Sequence, residues 1–212
     1  MQNQVAYSNF FELSNEAGRK YGTVFNLPVL KQPYEMIKDI YYREYPKGDV
    51  LDFGSGADKT LQKVLHLPNS RYYTIDDDPD VGASFARIED IPSDRKFDFI
   101  AANQVFEHLE FQQGILAAYQ LAQRLRSKGA FFISVPNPQH ATRFLANPTH
   151  KTPWNYMNLH ALLQLAGLDI ILCARCNKIA GPRWYERPLA AVITRLYRID
   201  WCDTIYILGK SP

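Results

Sequence analysis

The stretch Gly48-Asp49-Val50-Leu51-Asp52-Phe53-Gly54-Ser55-Gly56-Ala57-Asp58 decides the fold. Val50 and Leu51 make the apolar centre of a buried strand, and Gly54 and Gly56 let the main chain turn sharply and approach a ligand with bare backbone. Lys59-Thr60-Leu61-Gln62-Lys63-Val64-Leu65 then reads as a helix. A dinucleotide fingerprint needs a third glycine where Lys59 stands, and a P-loop needs a glycine where Asp58 precedes Lys59-Thr60. Asp52 and Asp58 flank the turn with negative charge, which repels a pyrophosphate and suits a ligand carrying a cationic amine and hydroxyls.

With this loop the chain resembles the class I S-adenosylmethionine-dependent methyltransferases, whose first motif is a strand followed by Asp/Glu-x-Gly-x-Gly, here Asp52-Phe53-Gly54-Ser55-Gly56. Three further blocks carry the resemblance in the same order. Arg71-Tyr72-Tyr73-Thr74-Ile75-Asp76 is similar to the second strand with its terminal acid, twenty residues after Gly56. Phe97-Asp98-Phe99-Ile100-Ala101-Ala102-Asn103-Gln104-Val105-Phe106-Glu107-His108-Leu109 is similar to the fourth strand and turn of a small-molecule subgroup with a "VLEH"-type motif. Leu125-Arg126-Ser127-Lys128-Gly129 followed by Ala130–Asn137 is similar to its fifth strand. The four blocks span about residues 48 to 175.

The resemblance implies an α/β fold of Rossmann-like type, a mostly parallel seven-stranded sheet with helices on both faces and an antiparallel last strand. It implies S-adenosylmethionine as methyl donor, S-adenosylhomocysteine as product, and no metal. For the donor it implies backbone contacts from Gly54, Ser55 and Gly56, attraction of the amine by Asp52 directly or through water, and ribose hydroxyls on Asp76. Asp77 stands beside Asp76 in a stretch, Asp78-Pro79-Asp80, with turn chemistry of its own. Asn103 would offer a carbonyl or side chain to the amino-acid part, and Ile88 would pack on the adenine face. Relatives commonly carry an acid after the third strand to read the adenine edge, and here that position is Arg87.

Methyl transfer from a sulfonium asks mainly for orientation, and a hydroxyl acceptor also benefits from a base. His108 follows the fourth strand at the rim, with Glu107 placed to orient its ring or to cap the next helix. His150 lies in Asn147-Pro148-Thr149-His150-Lys151-Thr152-Pro153-Trp154, where similar segments of relatives face the acceptor. Both are candidate catalytic residues. His66, His140 and His160 read as loop or helix-surface residues.

Composition fits one domain over residues 1–212, with 46% hydrophobic and 22% charged residues and a net charge of +2 that gives no general push toward nucleic acid or an anionic membrane. Residues 1–46, broken at Pro28, Pro33 and Pro46, read as an arm of short helices, and 47–175 as the donor-binding core. An irregular loop at 136–157 and a basic-aromatic insert at 177–200 fall on the acceptor side. The insert carries Lys178, Arg183, Trp184, Tyr185, Arg187, Arg195 and Arg198, with a helix that starts near Pro188. The aromatic residues Phe10, Phe11, Tyr21, Trp154 and Tyr156 suit either a pocket wall or the core. Cys173, Cys176 and Cys202 are sparse and odd in number, which fits structural thiols in a reducing compartment.

The N-terminus has no basic and apolar leader, so the expectation is a cytoplasmic protein, monomeric or homodimeric, with no membrane span. The leading reading is a methyltransferase acting on an oxygen of a small-molecule acceptor, with no nucleic-acid partner. Asn103-Gln104-Val105-Phe106 lacks the Asn/Asp-Pro-Pro-Tyr/Phe pattern of enzymes that methylate exocyclic or amide nitrogens. A donor-binding protein without catalysis, and an RNA or protein methyltransferase, are the competing readings.

Overall fold

A computed structural model describes residues 2–178, 185 and 187–212, and of 2–8, 177, 178 and 187 the backbone alone. In chain order the elements are α1 (Gln2–Tyr21), β1 (Val29–Leu30), α2 (Pro33–Glu44), β2 (Val50–Phe53), α3 (Thr60–Leu65) and β3 (Tyr72–Ile75). They continue with β4 (Phe97–Asn103), α4 (Phe111–Ala122), β5 (Leu125–Pro136), α5 (Tyr156–Leu165), β6 (Asp169–Lys178), α6 (Arg187–Tyr197) and β7 (Cys202–Lys210).

The seven strands form one sheet in the order β1-β6-β7-β5-β4-β2-β3. Six run one way and β7 runs against both its neighbours, β5 and β6. This is the Rossmann-like sheet with an antiparallel last strand that the sequence predicts. The strand before Arg87, however, is reduced to one bridge between Ile75 and Phe85. The seventh strand comes instead from the N-terminal arm, where Val29 and Leu30 pair with Arg175 and Cys176 of β6. The arm is therefore not a set of short helices alone. Its first segment is one 20-residue helix, free of proline and closed by Gly22, whose N–H bonds the Gly18 carbonyl at 2.8 Å with φ +73°.

Other boundaries follow local chemistry. Pro33 opens α2 at the first helical position, where its missing N–H has no helical partner to lose. Lys59 is left-handed (φ 45°), so α3 starts only at Thr60. α4 ends at Ala122, because Leu125 already pairs with Phe97 of β4. A register shift between Phe97 and Phe99 lets Phe97, Ile100 and Ala102 share one face of the sheet while Phe99 and Ala101 take the other. Each face is apolar. One packs with α1, α4 and α5 around Phe10, Phe106 and Trp154, the other with α2 and α3 around Ile37, Tyr41 and Leu61.

Phe10, Trp154 and Tyr156 belong to this core rather than to a pocket wall. His160 is a second correction: it lies buried in α5, 5.4 Å from the Tyr21 ring, with its pKa lowered to about 4 by desolvation and then by Lys20. Cys173, Cys176 and Cys202 are all buried, with the first two thiols pushed up to about 12 by burial, which fits structural thiols. Arg183 and Trp184 of the insert lie outside the described residues, and α6 exposes Leu189, Val192 and Leu196. Among the described residues no helix is long and apolar enough to cross a membrane.

Candidate functional site

The site grows from the carboxyl end of β2. This strand lies between β3 and β4, so its last residues emerge at the middle of the parallel part of the sheet, where ligands of such folds sit. The Gly54 N–H bonds the Ile75 carbonyl at 2.8 Å, tying the turn to β3. Gly54 has φ +74°, and a Cβ there would stand 2.4 Å from Val105 Cγ2. Gly56 has φ +60° with nothing within 4 Å of a Cβ, so its face is open. The Gly56 N–H donates to Asp76 Oδ2 at 2.8 Å, and the Asp78 N–H to Asp76 Oδ1 at 3.2 Å. Each Asp76 oxygen therefore keeps a lone pair for a further donor.

A cavity of about 710 Å³ opens beside this turn. Phe53, Gly54, Gly56, Asp76 and Asp77 line one side, Arg87, Ile88 and Glu89 a second, and Val105, His108, Leu116, Ala117 and Lys151 the rest. Of the residues singled out in the sequence, the cavity thus brings together Gly54, Gly56, Asp76, Asp77, Ile88 and His108. Arg87 also faces it, while its own backbone N–H is held by Asp90 Oδ2 at 2.9 Å.

Asp52, Ser55, Asn103 and His150 do not line this cavity. Asp52 is 5% exposed and accepts a hydrogen bond from the Tyr72 hydroxyl at 2.6 Å. Burial raises its pKa to about 6, Tyr72 works in the opposite direction, and Asp76 adds to the rise. Ser55 Oγ is buried with no hydrogen-bond partner among the described residues. Asn103 Oδ1 accepts from the Ser134 hydroxyl of β5.

The second half of the site is the short 3₁₀ turn Phe106–His108 that follows β4. Trp154 fixes it from below: the indole N–H donates to the Phe106 carbonyl at 2.9 Å, and the ring stacks on Phe111 at 5.4 Å. The Lys151 and Thr152 N–H groups both reach the Glu107 carbonyl, at 2.7 and 3.2 Å, so the 136–157 loop is stitched to this turn. His108 and His150 consequently face each other, with ring centroids 5.0 Å apart at 66°.

Their tautomers follow from the partners. His150 Nδ1 lies 2.7 Å from the Phe144 carbonyl, which only accepts, so Nδ1 carries the proton. His108 Nδ1 lies 3.0 Å from Thr149 Oγ1 and 3.3 Å from the Thr149 carbonyl. The Thr149 hydroxyl donates to Asn147 Oδ1, an oxygen identified by the Thr149 N–H that also reaches it. His108 Nδ1 is therefore the donor as well. In both rings Nε2 keeps the lone pair.

Glu107 sits between these rings and the core. It is 1% exposed, and neither carboxylate oxygen has a hydrogen-bond partner among the described residues. Desolvation pushes its pKa up to about 8, with its own backbone N–H working weakly in the opposite direction. The sequence gives it the task of orienting a histidine ring, yet its carboxylate bonds to neither ring; Thr149 and the Phe144 carbonyl hold them instead. One possible ligand atom from each of Glu107, His108 and His150 falls within 4.8 Å of the others. The adjacency Glu107-His108 is visible in the sequence, but the burial that gives Glu107 its character comes from the turn and Trp154.

No protein of curated function matches the chain. Among solved structures it is similar to a SAM-dependent methyltransferase from Archaeoglobus fulgidus (20% identity, 84% of this chain and 94% of that one, TM-score 0.61). It is also similar to a putative methyltransferase of Haloferax volcanii in complex with the Trm112 methyltransferase activator (15% identity, 87% and 100%, TM-score 0.58). A third is the N-methyltransferase NodS from Bradyrhizobium japonicum WM9 in complex with S-adenosyl-l-homocysteine (14% identity, 94% and 98%, TM-score 0.52). At these identities the likeness speaks for the fold. A family profile described as a methyltransferase domain matches residues 31–172, which takes in the glycine turn, β3, β4, His108 and His150. The chain belongs to this methyltransferase-domain family, as a SAM-dependent methyltransferase with S-adenosylmethionine as its cofactor.

Proposed function

We propose that the chain transfers the methyl group to a hydroxyl oxygen of a small-molecule acceptor, with the donor's nucleoside in the 710 Å³ cavity. The donor supplies a methyl group activated by the positive sulfur beside it. The residues suit that guest. Asp76 has two lone pairs left for vicinal ribose hydroxyls, and Asp77 adds negative charge at the same edge. Ile88 with Leu116 and Ala117 gives apolar surface for the adenine, and Arg87 replaces the usual acid at its edge. Gly54 and Gly56 permit close approach, so that the backbone of Gly54, Ser55 and Gly56 meets the amino-acid part. Asp52, behind the loop, draws the amine by its field, and Asn103 marks the end of β4 where that group would lie.

The observation that carries the oxygen assignment is the Nε2 lone pair of His108, which lines the cavity, with the ring of His150, which does not line it, 5.0 Å from that of His108. A hydroxyl has to lose its proton as it is methylated, and an imidazole nitrogen with its lone pair free can take it. The acceptor oxygen bonds to the methyl carbon as the carbon–sulfur bond breaks, the electron pair staying on sulfur and the proton passing to Nε2. Residues 1–46, 136–157 and 177–200 are assigned to acceptor selection within one domain, and the buried thiols support a reducing, cytoplasmic setting.

Transfer of labelled methyl to a panel of hydroxyl and amine acceptors tests this. His108→Ala and His150→Ala, assayed separately, should change S-adenosylhomocysteine affinity far less than turnover, which at least one lowers by roughly 10²–10⁴-fold. Labelling of amines alone, with both variants at the wild-type rate, would overturn the oxygen assignment.

A further inference from the structure

We propose that Glu107, His108 and His150 form a binding site for one divalent first-row transition cation, which departs from the metal-free enzyme that the sequence leads one to expect. The donor set is one carboxylate and two imidazoles, a combination suited to zinc, manganese, cobalt or iron rather than to magnesium or calcium, which prefer all-oxygen shells. Their ligand atoms lie within 4.8 Å of one another. An ion with bonds of about 2.0–2.2 Å holds its ligands roughly 3–3.5 Å apart, so the widest pair must close by up to about 1.3–1.8 Å. His108 and His150 are both part-exposed and can make that adjustment through their side-chain torsions.

Two independent observations point to a cation. The first is the Glu107 carboxyl, buried to 1% exposure with both oxygens unpartnered among the described residues and aimed into the cluster. A buried carboxylate normally has a donor or a cation beside it. Lys151, which lines the cavity, has its ammonium 3.9 Å from Glu110. The second is the orientation of the rings. Each imidazole bonds through Nδ1–H, to the Phe144 carbonyl and to Thr149, which leaves Nε2 free. Outer hydrogen bonds of this kind, carbonyl or hydroxyl to Nδ1–H, are what orient histidine ligands on metals.

Three protein ligands leave further coordination positions, and His108 borders the donor cavity. A hydroxyl of the acceptor, or two on adjacent carbons, would fill them. With the ion bound, it would lower the hydroxyl's pKa and the proton would pass to water, the imidazoles serving as ligands; the base role proposed above then belongs to the ion-free enzyme. This catalytic consequence rests on the oxygen-acceptor reading above; the binding claim does not.

The test is titration of the chelator-treated chain, without donor or acceptor, with Co²⁺ followed by visible absorption, and with Zn²⁺ by calorimetry. The expected result is one ion per chain at micromolar affinity, with the visible bands of nitrogen-ligated Co²⁺. Glu107→Gln, which is close to isosteric, and His150→Ala should each weaken binding by about 100-fold or more, while S-adenosylhomocysteine affinity, reporting an intact fold, stays unchanged. His140→Ala, outside the cluster, should change nothing. Wild-type affinity no tighter than that of His108→Ala/His150→Ala would overturn the proposal. Full-rate methylation of hydroxyl acceptors by chelated enzyme that binds no Co²⁺ would sink the cation and keep the oxygen-acceptor reading; Co²⁺ binding with amine-only methylation would do the reverse.

Discussion

Replacing Asp76 by alanine probes the donor site at its most specific polar contact. Asp76 ends β3, and its two oxygens accept the Gly56 and Asp78 N–H groups, which aims the remaining lone pairs at the cavity. Two charge-assisted hydrogen bonds to ribose hydroxyls carry about 1.5–3 kcal/mol each, but the side chain is half-buried and water recovers part of the loss in the variant. The net effect is about 2–3 kcal/mol, or roughly 30- to 150-fold in Kd for S-adenosylhomocysteine. Asp76→Asn keeps an acceptor for the Gly56 N–H and should fall between the two. The assay is calorimetric titration of all three proteins at one pH, with thermal unfolding to establish that each is folded. A folded Asp76→Ala protein with a Kd within about twofold of wild type would refute the assignment of Asp76 to the ribose.

Two further predictions concern the same turn. Because burial raises the Asp52 pKa from 3.8 to about 6, the native state holds a proton that the unfolded chain releases between these values, so wild-type stability falls as pH rises through that window. The loss is about 3 kcal/mol and complete above pH 6, whereas Asp52→Asn keeps an acceptor for Tyr72 and has no such term. Urea unfolding of both proteins from pH 4 to 7 should show the difference moving against wild type by that amount; a difference that stays level would count against it. At Gly54 an added methyl group meets both a left-handed backbone and Val105, so Gly54→Ala should cost about 2–4 kcal/mol of stability. Gly56→Ala meets no neighbour and should spare most of the stability while abolishing donor binding; equal stability losses at the two positions would contradict this geometry.

What was legible in the sequence was local. A strand ending in Asp52, a turn needing positive φ at Gly54 and Gly56, and a second strand ending in Asp76 are each written within a few residues, and they assemble as read. The rest depends on contacts between distant segments. Val29 and Leu30 are too short to announce a strand, and they become one because the Arg175 N–H reaches the Pro28 carbonyl and β6 offers an open edge. The third strand fails because the segment around Phe85 makes a single bridge before turning into Ile88–Asp90. Trp154 and His160 carry no sequence mark that separates core from pocket; packing against α4 and α1 decides it. Glu107 reads as an ordinary charged residue beside a histidine, and only the turn over Trp154 reveals a carboxyl cut off from water.

The most direct test of the account is a crystal structure of the chain with S-adenosylhomocysteine. The predicted result is the ribose hydroxyls on Asp76, the adenine against Ile88, and the thioether at the end of the cavity that His108 borders. A nucleoside bound away from the Gly54–Gly56 turn, or one whose sulfur lies remote from His108 and His150, would contradict both the donor site and the acceptor side built upon it.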